Sequence, residues 1–243
     1  MQNIEVTYKT HSGRVIHRHK LQQFVDRALA REIQSVRLPV SYKNQKHLPG
    51  YFWMSCMNEL VAYESRLEMM HLLHLDFNKA VRYVVSQPFA LHYHSNNKIY
   101  RHTPDFLAIY GNGAAEIINV KPRQFIHLER NRRSFSACKD AAIEMGWAYS
   151  TRSEIEPIFL RNLKWLSGYR RPPVGLLDYA PKLIKLATDT ISIRNSIKEI
   201  GGLASIVRPV LFHLLWTGVL EVDLHTRMTD NAILSSSGIR RVS

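Results

Sequence analysis

Cysteine is scarce, with two in 243 residues, Cys56 and Cys138. They are far apart and no CxxC occurs, which argues against a disulfide framework and a structural zinc site. Two reduced, mostly buried thiols are expected instead. No apolar run reaches the roughly 20 residues that span a bilayer. The opening stretch, MQNIEVTYKTHSGR, lacks the apolar core of a signal peptide. A cytoplasmic protein is therefore expected. No basic amphipathic helix presents a Trp or Phe face to a membrane surface. Internal repeats, low-complexity segments, recognition helices and zinc-finger signatures are also missing. Acidic residues are in deficit: 20 Asp and Glu stand against 33 Lys and Arg, giving a formal net charge of +13. A domain this basic usually meets a polyanion, with nucleic acid the first candidate. Charge alone does not separate DNA from RNA.

The apolar fraction of 45% and charged fraction of 22% suit a globular fold. Residues 1–50 are basic and polar (Lys9, Arg14, Arg18, Lys20, Arg31, Arg37, Lys43 and Lys46), with a helix expected from about Leu21 to Gln34. They read equally as a solvated arm or as a surface touching phosphates. Residues 60–75 carry apolar residues at helical spacing (Leu60, Leu67, Met70, Leu73), which would place Glu64, Glu68 and His71 on one side of a helix. Residues 82–94 read as strand material around Ser86-Gln87-Pro88. His92 and His94, two apart on a strand, would share a side, more as solvated histidines than as a metal pair. Two β-rich runs, 105–110 and 115–120, flank Gly111-Asn112-Gly113, a hairpin signal. Residues 123–146 read as a basic helix carrying Arg130, Arg132, Arg133 and Lys139 and closed by Gly146; those side chains are either a solvated face or phosphate contacts. Another strand follows near Trp147. Tyr169-Arg170-Arg171-Pro172-Pro173 reads as a boundary. Beyond it, helices near 181–187, 192–200 and 203–216 precede a β-hairpin. The expected architecture is α/β, a mixed sheet flanked by helices over residues 1–168, then a small winged-helix-like domain over 174–243.

A hairpin centred on Asn112 pairs residues whose numbers sum to 224. Asp105 then lies opposite Asn119, and Asp105, Asn119 and Lys121 share one face at its open end. A carboxylate oxygen suits a hard cation such as Mg²⁺. A lysine beside it can hold the attacking water or neutralise charge on a phosphoryl oxygen. Phosphodiester hydrolysis needs both. Glu64 would complete a metal shell, with Glu68 and Glu116 as fallback ligands; Glu116 should face the other side of its strand.

Pro104-Asp105 followed by Asn119-Val120-Lys121 resembles the PD-(D/E)xK nuclease superfamily. The longer series Tyr63-Glu64-Ser65-Arg66-Leu67-Glu68, Leu75-Asp76-Phe77, Ser86-Gln87-Pro88, Thr103-Pro104-Asp105-Phe106 and Val120-Lys121 resembles the TnsA family, the endonuclease subunits of heteromeric transposons. The resemblance implies a restriction-endonuclease-like fold, catalytic roles for Glu64, Asp105 and Lys121, and Mg²⁺ held by Glu64, Asp105 and Asn119, with Mn²⁺ substituting. It implies cleavage of double-stranded DNA at the 5′ ends of a transposon, beside a DDE-type transposase and an AAA+ regulator, in a nucleoid-associated protein. Asn119 departs from the usual Glu, Asp or Gln; its amide oxygen can ligate a metal but carries no charge. Two other readings stay open: a nuclease-dead scaffold that binds DNA and partners, and a stand-alone restriction or repair nuclease of the same fold.

Overall fold

The structure, a computed structural model, describes residues 4–29, 31–37, 48–95, 97–188 and 190–236. Lys43 and Lys46 lie outside the described residues. The chain divides into two compact units, Met1–Glu154 and Ile155–Ser243.

In the first unit the elements are β1 (Glu5–Thr10), β2 (Val15–Lys20), α1 (Leu21–Leu29), β3 (Ile33–Gln34), β4 (Gly50–Met54), β5 (Glu59–Tyr63), α2 (Arg66–Phe77), β6 (Val81–Ser86), β7 (Phe89–Ser95), β8 (Lys98–His102), β9 (Phe106–Tyr110), β10 (Ala115–Val120), α3 (Arg123–Ile126), α4 (Glu129–Met145) and β11 (Ala148–Arg152). Its central sheet runs β11-β10-β9-β6. β11 is parallel to β10, whereas β10–β9 and β9–β6 are antiparallel. A second sheet, β2-β1-β7-β8, has β3 paired to β1, and β4 pairs with β5. This is the expected α/β architecture with a mixed sheet and flanking helices, of the restriction-endonuclease-like type.

Alternation along the hairpin splits the core in two. Leu107, Ile109, Ala115 and Ile117 pack with Ala137, Cys138, Ala141 and Ala142 of α4. Phe106, Ala108, Ile118 and Val120 pack with Leu72 and Leu75 of α2. Successive residues of a strand face opposite sides, so β9 and β10 are covered on both faces and read as nearly continuous apolar runs. The small residues of α4 let its backbone approach the sheet, and Gly146 closes it in the left-handed region at φ +70°. The β9–β10 register is the one expected, with partner numbers summing to 224. Its turn is closed by Tyr110 N–H to Ala114 O at 2.9 Å, with Gly113 at φ +83°.

Four expectations need correction. The helix expected over 60–75 starts at Arg66: residues 59–63 are strand β5, and Ser65 is the N-cap. Glu64 therefore precedes the helix and does not share a helical face with Glu68. The helix expected to Gln34 ends at Leu29, and Ile33 returns as a strand against β1. The basic helix is two helices, broken between Ile126 and Glu129. The basic N-terminal stretch is not a free arm: it forms the β1–β2 hairpin, with Ile4, Val6, Tyr8 and Thr10 buried and Arg14, Arg18 and Lys20 exposed.

The second unit comprises α5 (Pro157–Leu166), a 3-10 turn at Ser167–Tyr169, α6 (Leu176–Leu186), β12 (Ile191–Ser192), α7 (Ile193–Ile200), α8 (Ala204–Trp216), β13 (Leu220–Glu221) and β14 (Ile233–Ser236). The three helices and the hairpin expected after the prolines are present, and α6 begins five residues early, running through Pro181. The strands pair in the order β12-β14-β13. Tyr169–Pro173 falls within this unit, where Tyr169 O accepts from His213 Nδ1 at 2.8 Å. Among the described residues no helix is long and apolar enough to cross a membrane.

Candidate active site

Asp105 sits between β8 and β9, held by main-chain bonds on both sides. Its N–H donates to Ile118 O at 3.1 Å and its carbonyl accepts from Gln87 N–H at 2.8 Å. Its Oδ2 accepts from Val120 N–H at 2.6 Å. The carboxylate is thus tied to β10, the strand that delivers Lys121. Lys121 N–H in turn donates to Arg152 O at 2.8 Å.

Glu64 comes from the turn between β5 and α2. The next four residues form a capping box: Glu68 N–H donates to Ser65 Oγ at 3.2 Å, and Glu68 Oε2 accepts from Glu64 N–H at 2.8 Å. Ser65 Oγ also donates to Glu68 Oε1 at 2.8 Å. A box of this kind contributes about 1 kcal/mol and here sets where Glu64 leaves the strand. The Glu64 side chain accepts from Arg37 Nη2 at 3.0 Å, and Arg37 Nε donates to Gln87 Oε1 at 2.7 Å.

Glu64, Glu68, Asp105 and Lys121 line one cavity of about 810 Å³, with Arg37, Arg66, Arg101 and His102 at its walls. Burial, then the charges of Glu68 and Glu64, push the Asp105 carboxyl up to about 8, against the Val120 hydrogen bond and Lys121. Such like-charge crowding is the environment in which a cation is most favourable. Burial, with Lys121 and Arg37 nearby, holds His102 below the usual histidine value.

Asn119 is 1% exposed. Its Oδ1 accepts from His102 Nε2 at 2.8 Å and its Nδ2 donates to Tyr149 Oη at 3.2 Å. It does not line the cavity. Glu116 is likewise elsewhere: its Oε2 accepts from Tyr110 Oη and, at 2.9 Å, from Arg152. Among the described residues no three His, Cys, Asp or Glu side chains stand together closely enough to hold a metal as they are.

Residues 78–154 match the family model of the TnsA-like endonuclease N-terminal domain. The chain carries a TnsA-like endonuclease domain. No curated protein matches the chain. The matched part of the TnsA-like domain contains Asp105, Asn119 and Lys121; Glu64 lies before it.

The basic residues of α4 stand outside the cavity. Arg130, Arg132 and Lys139 are exposed. Arg133 is half-buried, its guanidinium 4.8 Å from the Tyr100 ring centre and 3.5 Å from Glu129. At 100° per residue, Arg132 and Lys139 share a side of the helix, with Arg130 and Arg133 turned away from it. His92 pairs with Thr7 Oγ1 at 3.0 Å, and His94 is exposed. Both cysteines are free thiols, Cys138 buried and Cys56 half-buried. Sequence reasoning gave no site role to Arg66, Arg101 and His102, and read Arg37 only among the basic residues of the N-terminal stretch. Of these, Arg66, two residues after Glu64, and His102, three residues before Asp105, carried a local signal.

Proposed function

We propose that this chain is the metal-dependent DNA endonuclease subunit of a TnsA-type transposase, cutting at the 5′ ends of the transposon. The observation that carries the reading is the convergence of Asp105, Lys121 and Glu64 on one cavity, the first two inside the TnsA-like segment.

The donor set fits a hard divalent cation. It offers carboxylate oxygens of Asp105, Glu64 and Glu68, with Lys121 lowering and the two glutamates raising the Asp105 carboxyl. Asp105 and Glu64 would hold Mg²⁺, or Mn²⁺ in its place. Asn119, whose Oδ1 accepts from His102 and which does not line the cavity, would have to turn toward it to join them. A bound divalent ion supplies charge withdrawal from the phosphoryl oxygen and acidifies water. Asp105, fixed to β10, keeps its carboxylate at a constant distance from the lysine on the same strand. Lys121 holds the attacking water or neutralises charge developing on the phosphate. Glu68, engaged in the capping box, positions Glu64. Arg66 and Arg101 at the cavity wall supply phosphate contacts that carry no base information.

The resemblance also supports a DDE-type transposase and an AAA+ regulator as partners, and double-stranded DNA as substrate. The test is to incubate a duplex carrying the element's ends with Mg²⁺, with and without the neighbouring transposase, and map the cut strand. Cuts at the 5′ ends that need the transposase support the transposon role. Cuts at unrelated sites by the chain alone would favour a stand-alone nuclease. The neutral, bonded Asn119 favours a second reading, a DNA-binding scaffold without cleavage; DNA binding without cleavage in any combination would establish it.

A further inference from the structure

We propose that Arg37 is a resident cation on Glu64 that competes with the metal and, once displaced, binds the DNA phosphate. The proposal rests on the metal-dependent reading above.

Arg37 follows β3 and lines the same cavity as Asp105 and Lys121. Its guanidinium uses two donors inside the site, one on Gln87 at 2.7 Å and one on Glu64 at 3.0 Å. Among the described residues its other N–H groups have no further acceptor, and a guanidinium carries five such donors. The side chain is 54% exposed, so packing does not lock it in place. Its anchor is the opposite case. Gln87 is 4% exposed, and its backbone sits in the left-handed region at φ +46°. Its carbonyl accepts from Val36 N–H at 3.0 Å and its N–H donates to Asp105 O at 2.8 Å. A non-glycine residue in this conformation costs about 1–3 kcal/mol and persists only where its surroundings impose it. Here the strain aims the Gln87 amide at Arg37. Arg37, Gln87 and Asp105 thus form one bonded series, and Glu64 is held from its far end.

A carboxylate oxygen bonded to a guanidinium is a poorer donor to a second cation. A planar, permanently charged fork suits bidentate phosphate recognition. Arg37 therefore has two partners of like chemistry, a carboxylate in the metal-free chain and a phosphate afterwards. Removing it has opposite effects on metal and on DNA chemistry, whereas a merely structural residue would weaken both.

The test uses the full chain. Mn²⁺ affinity is read by the loss of the free-ion electron paramagnetic resonance signal, and duplex cleavage is timed at saturating Mn²⁺. Arg37→Ala is expected to bind Mn²⁺ about 2- to 5-fold more tightly, the size of a partly exposed ion pair, and to cleave about 10- to 100-fold more slowly. Arg37→Lys is expected to restore part of both. In a Glu64→Gln background the effect of Arg37→Ala on Mn²⁺ affinity should vanish. Wild-type Mn²⁺ binding with Arg37→Ala equal or weaker would overturn the proposal alone. Unchanged cleavage would overturn the phosphate role. No Mn²⁺ binding by either protein would sink the metal-dependent reading and this proposal with it.

Discussion

An aspartate that loses water and gains two glutamates as neighbours keeps its proton more firmly than one in solution. Asp105 is that residue, with its carboxyl raised from 3.8 to about 8. Because the folded value lies above the unfolded one, its contribution to stability is complete below 3.8 and is lost as pH rises through about 8. Asp105→Asn is therefore expected to stabilise the metal-free chain, more at pH 9 than at pH 5, by about 0.5–2 kcal/mol at the higher pH, while abolishing cleavage. Thermal melts at the two pH values check this; a destabilised variant at pH 9 would contradict it. Lys121→Ala should fold normally and lose about 10²- to 10⁴-fold in cleavage rate, read in single-turnover assays. Asp105 and Lys121 were legible in the sequence because one short hairpin carries both. Arg37 was not: its bonds reach Glu64 across 27 positions and Gln87 across 50, and no spacing rule encodes a contact made by tertiary folding. The capping box at Ser65–Glu68 was legible in principle and places the start of α2 at Arg66, leaving Glu64 outside it.

Among the elements, the hairpin β9–β10 was readable because its turn chemistry and its alternation agree. β5 was not. Leu60 fell at helical spacing with Leu67, yet it lies on a strand opposite Trp53 and is 64% exposed. β1 carries period-two burial at Val6, Tyr8 and Thr10, masked in the sequence by the surrounding basic residues. The two layers over the sheet should be equally intolerant of truncation: Leu72→Ala and Leu107→Ala, both at fully buried positions, are expected to cost about 2–5 kcal/mol each in denaturant titrations. α2 is also tied to the end of β11, where His71 Nε2 donates to Ser153 O at 2.7 Å. Burial lowers His71 from 6.5 to about 4. Its folded value lies below the unfolded one, so its stability is present above pH 6.5 and is lost as pH falls toward 4. The stability gap between wild type and His71→Asn should shrink over that interval; a gap that widens on acidification would contradict the assignment.

At the scale of the whole molecule the net charge of +13 sets the conditions under which DNA is met. The logarithm of the affinity for a duplex should fall linearly with the logarithm of salt, with a slope of about 0.9 per phosphate neutralised. Arg132→Ala and Lys139→Ala, on one side of α4, should each weaken binding evenly across sequences and lower that slope by about 1; an unchanged slope would remove α4 from the DNA surface. We propose that the carboxylate and lysine of one hairpin, with Glu64 beside them, cut DNA with a divalent cation. The most direct measurement is duplex cleavage by the full chain, with and without its neighbouring transposase, titrated with Mg²⁺ and then chelator, comparing wild type with Asp105→Ala. Cleavage that appears with metal, stops with chelator and is missing in Asp105→Ala is the predicted result. Cleavage that survives chelation or the substitution, or no cleavage in any combination, would rule out a metal-dependent nuclease built on Asp105.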